Sequence, residues 1–258
     1  MTIKVSAEEL LKGGAHFGHQ AKRWNPKMDE YLYGTEDGVH VFDLIKTKSL
    51  IEEALEFLKE EVSKGKVVLL LGTKKQVKEK IVEIGKEIDC PYVSERWLGG
   101  TFSNFEQIGR SIKKLSDMKE KQAEGEYKDF TKKERLLIQR EIDRLERFFG
   151  GISPLKKVPD VLFVVDTHKE NSAIREAVRS KISIVGIVDS NSDPTDIDYP
   201  IPMNDDASKA LIYVLDLVKE AILEGKNNPK SEKSEKSEKA AKPAKSEKPA
   251  KPKKTDKK

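Results

Sequence analysis

The sequence predicts an α/β fold: a parallel sheet with helices on both faces, an inserted antiparallel coiled-coil helical hairpin, and a disordered C-terminal tail. Three observations carry this. Continuous apolar runs, Val67-Val68-Leu69-Leu70-Leu71, Val161-Leu162-Phe163-Val164-Val165 and Ile184-Val185-Gly186-Ile187-Val188, alternate with helical patterns; such runs mark parallel strands buried on both faces. Residues 106–149 carry only a narrow apolar stripe within a highly charged segment. After residue 225 the chain holds nothing with which to build a core. The expected division is an α/β domain over 1–105 and 150–225, a hairpin over 106–149, and a Lys-rich tail over 226–258.

The elements follow in order. Ser6 with Glu9 is a capping box that opens a short helix, ended by Gly13-Gly14. Residues 16–28 read as a loop. Residues 39–43 alternate as a strand, and Thr47 or Ser49 caps a helix faced by Ile51, Ala54, Leu55, Leu58 and Val62. After the strand at 67–71, Thr73 with Gln76 opens a helix faced by Val77, Ile81, Ile84 and Ile88. In the hairpin, Ile108, Ile112, Leu115 and Met118 stripe one arm, and Ile138, Ile142, Leu145 and Phe149 the other. Thr131 with Glu134 caps the return arm, and each arm reaches on the order of 30 Å. That stripe leaves little to pack on the domain. Beyond it come a helix faced by Ala173, Ile174, Ala177 and Val178, then a short extended edge at 199–202 whose prolines exclude a central strand. Asp206 caps the last helix.

Composition bounds the function. The 258 residues carry a net charge of +4. Residues 226–258 hold 13 lysines against 5 acids, so the preceding body is net −4 and can meet a polyanion only through local basic patches. The single cysteine, Cys90, forms no internal disulfide and fits a reducing cytoplasm. No signal peptide is evident, and the apolar runs are too short to span a bilayer. No membrane partner is expected.

Two stretches carry chemistry. Residues 16–28, His-Phe-Gly-His-Gln-Ala-Lys-Arg-Trp-Asn-Pro-Lys-Met, place Lys22, Arg23 and Lys27 beside Trp24 and Asn25. Cations can pair with phosphates and aromatic faces can stack on unpaired bases; equally, the aromatics can pin an irregular loop to the core. Residues 95–105, Glu-Arg-Trp-Leu-Gly-Gly-Thr-Phe-Ser-Asn-Phe, stand where the domain stops and the hairpin leaves it. Arg96 and Trp97 can grip nucleic acid, or Trp97 is buried and Ser103 or Asn104 caps the hairpin. After the strand at 67–71, Gly72-Thr73-Lys74-Lys75 lacks the Walker pattern, so no nucleotide site is expected. Lys74 and Lys75 can meet a nucleic-acid backbone or simply face water. His16 and His19 have no third ligand nearby in sequence, so no metal is expected. The strand ends would gather Gly72, Thr73, Asp166, Thr167, His168, Asp189, Ser190 and Asn191. This is where an enzyme or regulator would work, but no nucleophile-base pair or glycine fingerprint is present.

Together these motifs resemble the ribosomal protein S-two family of the bacterial small subunit, over about residues 3–225. The resemblance is carried by His16-Phe17-Gly18-His19 through Met28; by Arg96-Trp97-Leu98-Gly99-Gly100-Thr101 with Asn104-Phe105; and by Pro159-Asp160, Asp166, Lys169-Glu170, Ile187-Val188-Asp189, Asn191, Asp198-Tyr199 and Asn204-Asp205-Asp206-Ala207. Phe102, Ser103, Ser183 and Met203 depart from the usual pattern, and the tail lies outside it. The resemblance implies a flavodoxin-like domain with a coiled-coil hairpin and a structural, non-catalytic role on small-subunit rRNA. It implies neighbouring ribosomal proteins as partners, protein S-one among them in bacteria that have it, and a cytoplasmic place on the ribosome. It implies no cofactor and no small-molecule substrate. The candidate RNA-facing residues are Lys22, Arg23, Trp24, Asn25, Lys27, Lys74, Lys75, Arg96, Thr101 and Asn104.

Overall fold

The computed structural model describes residues 3–229, and the expected tail from residue 230 onward lies outside them. Five strands form a parallel sheet: β4 (Val68–Leu71), β5 (Tyr92–Val93), β6 (Val161–Val165), β7 (Ser183–Val188) and β8 (Tyr199–Pro202), in the order β5-β4-β6-β7-β8. Counted from β4 this is the 2-1-3-4-5 order of flavodoxin-like sheets. β4 and β6 are buried along their whole length, and their side chains alternate between two cores. Val161, Phe163 and Val165 meet one; Leu162 and Val164 meet the other. The proline-bearing strand β8 lies at an edge, where its missing N–H groups are tolerated.

On the first face lie α1 (Ala7–Gly13), α2 (Leu44–Ser63), α3 (Lys78–Glu87) and α7 (Ser208–Asn227), which bury Leu10, Ile51, Leu58, Ile81, Leu211 and Val218 against the sheet. On the second lie α6 (Asn171–Arg179) and the root of the hairpin. Several helix starts differ from expectation. Asp43, not Thr47 or Ser49, caps α2; Thr47 is buried and donates to the Pro202 carbonyl. Thr73 donates to Glu170 rather than capping, and α3 begins only at Lys78. Asp206 lies short of α7, and its carboxylate pairs with Lys74 instead. Val178 is 45% exposed and not part of the core. α7 runs on to Asn227, and Lys226 donates to the Ile88 and Asp89 carbonyls, so it belongs to the body and not to a tail. Met203 is fully buried in the first core, where a glycine would leave space.

Residues 17–42 hold a second, antiparallel sheet: β1 (Phe17–Gln20), β2 (Leu32–Glu36) and β3 (Val39–Phe42), in the order β1-β3-β2; β3 is the strand expected at 39–43, whereas β1 falls in the stretch read as a loop and β2 was not foreseen. β1 and β2 are largely exposed and irregularly paired, so unlike β3 they carry no clean alternation. The available signal was Asp37-Gly38. Both have positive φ, 49° and 77°, as a two-residue type I′ hairpin turn requires.

The hairpin is α4 (Phe105–Glu124) and α5 (Lys132–Phe149), joined by a turn that Gly125 opens in the left-handed conformation. The Thr131–Glu134 capping box forms in both directions. The arms are tied by Lys114–Glu141 at 2.9 Å and by Gln122 donating to Gln139 at 2.6 Å. Their seam, Ile108, Leu115, Ile142, Leu145 and Phe149, is continuous with Trp97, Phe102, Val93 and Leu69 under the sheet. More of the hairpin is therefore anchored in the domain than its narrow stripe suggested; Met118 and Ile138 farther out are only partly buried.

Candidate nucleic-acid interface

The end of β7 and the loop after it organise the first motif. Ser190, fully buried at the end of β7, accepts from the His19 N–H at its Oγ (2.7 Å) and from the Asn25 N–H at its carbonyl (2.7 Å). A Cβ on Gly18 would lie 2.8 Å from that same Oγ, so glycine is needed for the strand to approach this closely. Lys22 and Arg23 follow in a 3-10 turn, exposed and with no carboxylate partner among the described residues. Trp24 is half-buried against the His40 ring, with centroids 4.8 Å apart. The Asn25 side chain is used locally, accepting from the Lys27 N–H.

Lys27 is exposed but taken: its Nζ lies 2.7 Å from Asp193 and 2.9 Å from Thr195. Lys27 and Thr195 hold the Asp193 carboxyl down at about 2. A depressed carboxyl pKa means the pair is fully formed above the ordinary value and is lost as pH falls through the depressed one. Both side chains are about half exposed, so its stabilising effect is at most about 1 kcal/mol. In Lys27→Gln the Asp193 titration midpoint, followed by carboxyl NMR, should move up toward 4. An unchanged midpoint would show that Lys27 is free for other partners.

The strand-end edge, where the alternative reading would place an enzyme or regulator, is wired to itself. Lys74, its side chain only 15% exposed, pairs with Asp205 (2.7 Å), Asp206 (2.7 Å) and Asp166 (3.3 Å). Burial opposes its charge, but the bonds to Asp205 and Asp206 hold its pKa above the ordinary lysine value. Burial, with Asp189 and Asp166 nearby, pushes Asp205 up. His19 Nδ1 lies 3.0 Å from Asp189, and that bond raises the imidazole pKa against its burial. Burial works the other way on Asp189, yet the His19 contact holds it low. Ligand atoms of His19, Asp205 and Asp206 fall within 4.8 Å of one another. These three could hold a divalent cation, a grouping that distance in sequence concealed. Lys74 is therefore drawn inward and is not a free phosphate contact, while Lys75 beside it is exposed with no carboxylate partner among the described residues.

The second motif folds around an acid that the sequence did not suggest. Glu176 of α6 accepts from Trp97 Nε1 (3.3 Å) and Gly100 N–H (2.8 Å) at one oxygen, and from the Phe102 (3.0 Å) and Ser103 (3.5 Å) N–H groups at the other. Trp97 is buried, edge-on to Phe102, and so is not a stacking platform. Thr101 is also buried, donating to the Leu98 carbonyl, and turns away from any outside partner. Arg96 and Asn104 remain exposed, and Asn104 opens α4 without a side-chain cap bond.

The family model for ribosomal protein S2 matches residues 10–225. The small ribosomal subunit protein uS2 of Helicobacter hepaticus is 41% identical over 228 residues, covering 88% of this chain and 86% of that protein. With a flavodoxin-like sheet order and the His-Phe-Gly-His motif seated on Ser190, the chain belongs to the ribosomal protein S2 family.

Proposed function

We propose that this chain is a structural constituent of the small ribosomal subunit, binding its rRNA and neighbouring ribosomal proteins in the cytoplasm, without catalytic activity of its own. Family membership supports the setting. The observation that supports the RNA contact is the exposed Lys22-Arg23 pair, unmatched by any carboxylate among the described residues and braced through Asn25 and His19 on buried Ser190. A rigid platform lowers the ordering cost of binding, and a local cationic site is what a net-acidic body needs to meet phosphates. Arg96, Asn104 and Lys75 extend the set, and the hairpin serves as a coiled-coil arm toward neighbouring proteins. Protein S-one is among those partners where the organism has it.

Neutralising Lys22, Arg23 and Lys27 to glutamine tests this. Incorporation into small subunits should weaken, and its salt dependence should flatten by about one unit of slope per lost phosphate contact. Because Lys27 is shared with Asp193, about two units are expected rather than three. The melting temperature should hold, since exposed substitutions shift stability by under about 0.5 kcal/mol. A destabilised fold with an unchanged salt slope would assign the motif a purely internal role.

A further inference from the structure

Asn171, Ser172, Arg175, Glu176 and Arg179 line one open groove of about 440 Å³ on the outer face of α6. Arg175 and Arg179 are four residues apart, so they stand side by side on the helix. Both are exposed, and neither has a carboxylate partner among the described residues. Many other cations of the body are matched: Lys12, Lys27, Lys46, Lys74, Lys80 and Lys114 all have an acid in reach.

The single acid in the groove does not cancel them. Glu176 points its two oxygens at Trp97 Nε1 and three backbone N–H groups of the second motif. Its charge is offset there, so the groove keeps a positive field on a net-acidic body. The same bonds fix the loop of exposed Arg96 beside α6.

We infer that this face of α6 is a second RNA-backbone contact, with Arg175 and Arg179 each gripping a phosphate alongside Arg96. The inference rests on the ribosomal reading above. A guanidinium presents a planar fork that matches phosphate oxygens. Neighbouring arginines on one face suit successive phosphates of a strand. Asn171 and Ser172 add neutral donors at the rim. A protein partner is less suited to the groove, because none of its five lining residues is apolar and stable protein interfaces centre on buried apolar or aromatic anchors.

The test is a salt titration of binding to small subunits depleted of this protein. Wild type, Arg175→Gln/Arg179→Gln and Arg175→Lys/Arg179→Lys are compared, with melting temperatures measured in parallel. The glutamine double variant should bind at least tenfold more weakly and lose about two units of salt slope, with its melting temperature unchanged. The lysine variant should keep the slope and lose affinity only a few-fold. If the double variant misfolds, each single glutamine variant should lose about one unit. Weaker binding with an unchanged slope would mean that the arginines hold a protein neighbour, and would overturn the inference. Binding equal to wild type would overturn it as well. A wild type that fails to join the subunits would instead overturn the ribosomal reading beneath it.

Discussion

Glu176→Ala is expected to lower stability by about 2–4 kcal/mol, because it strands several donors at once. Trp97 Nε1 and the N–H groups of Gly100, Phe102 and Ser103 converge on that one carboxylate. Hydrogen bonds to a charged acceptor contribute about 1.5–3 kcal/mol each, and an unsatisfied buried donor costs about 1–3. The four bonds form one unit, so their deletions do not add. For a domain of this size the loss corresponds to roughly 5–15 °C in melting temperature. Glu176→Gln should fall between, since an amide presents one accepting oxygen and turns an N–H₂ toward the other donor pair. Thermal unfolding measures the loss, and Trp97 emission in a Trp24→Phe background reports whether the loop at the hairpin root opens. Both variants melting within about 1 °C of the parent would show that water satisfies these donors and that the carboxylate is dispensable.

Gly151→Ala should cost about 3 kcal/mol or more, and Gly151→Val should prevent accumulation of folded protein. Gly151 lies in the 3-10 turn by which α5 rejoins the sheet. An added Cβ would sit 2.3 Å from the Tyr92 carbonyl oxygen and 2.8 Å from its ring. The nearest atom is backbone of β5, so it cannot swing aside as a flexible side chain would, and overpacking of this kind ordinarily costs about 1–3 kcal/mol. Gly109 is the control. It lies within α4 with no atom within 4 Å of a new Cβ, so Gly109→Ala should stabilise by about 0.5–1 kcal/mol. Denaturant unfolding of the two alanine variants settles the contrast. Equal and small effects would mean that β5 shifts freely from the hairpin root.

The parallel sheet was legible because β4, β6 and β7 are buried on both faces, which leaves continuous apolar runs in the sequence. The hairpin was legible through its Thr131–Glu134 cap and spaced apolar residues. Of the antiparallel sheet only β3 was legible, by its alternation; Tyr33 and its neighbours in β2 face outward and pair irregularly. Lys74 read as a surface cation because Asp166, Asp205 and Asp206 come from later segments that only the fold brings to it. Arg175 and Arg179 drew no reading from the sequence; only the diversion of Glu176 into the neighbouring loop gives them meaning.

The seating of the first motif on Ser190 also sets a timetable. His19 bonds a residue 171 positions later in the chain, and Asn25 waits for the same residue. At a synthesis rate of about 5–20 residues per second the delay is roughly 10–35 s. Throughout that interval Lys22 and Arg23 are already made but not yet held in place. The proposed grip on a polyanion is thus completed only when most of the domain exists, so half-made chains carry the charges without the shape.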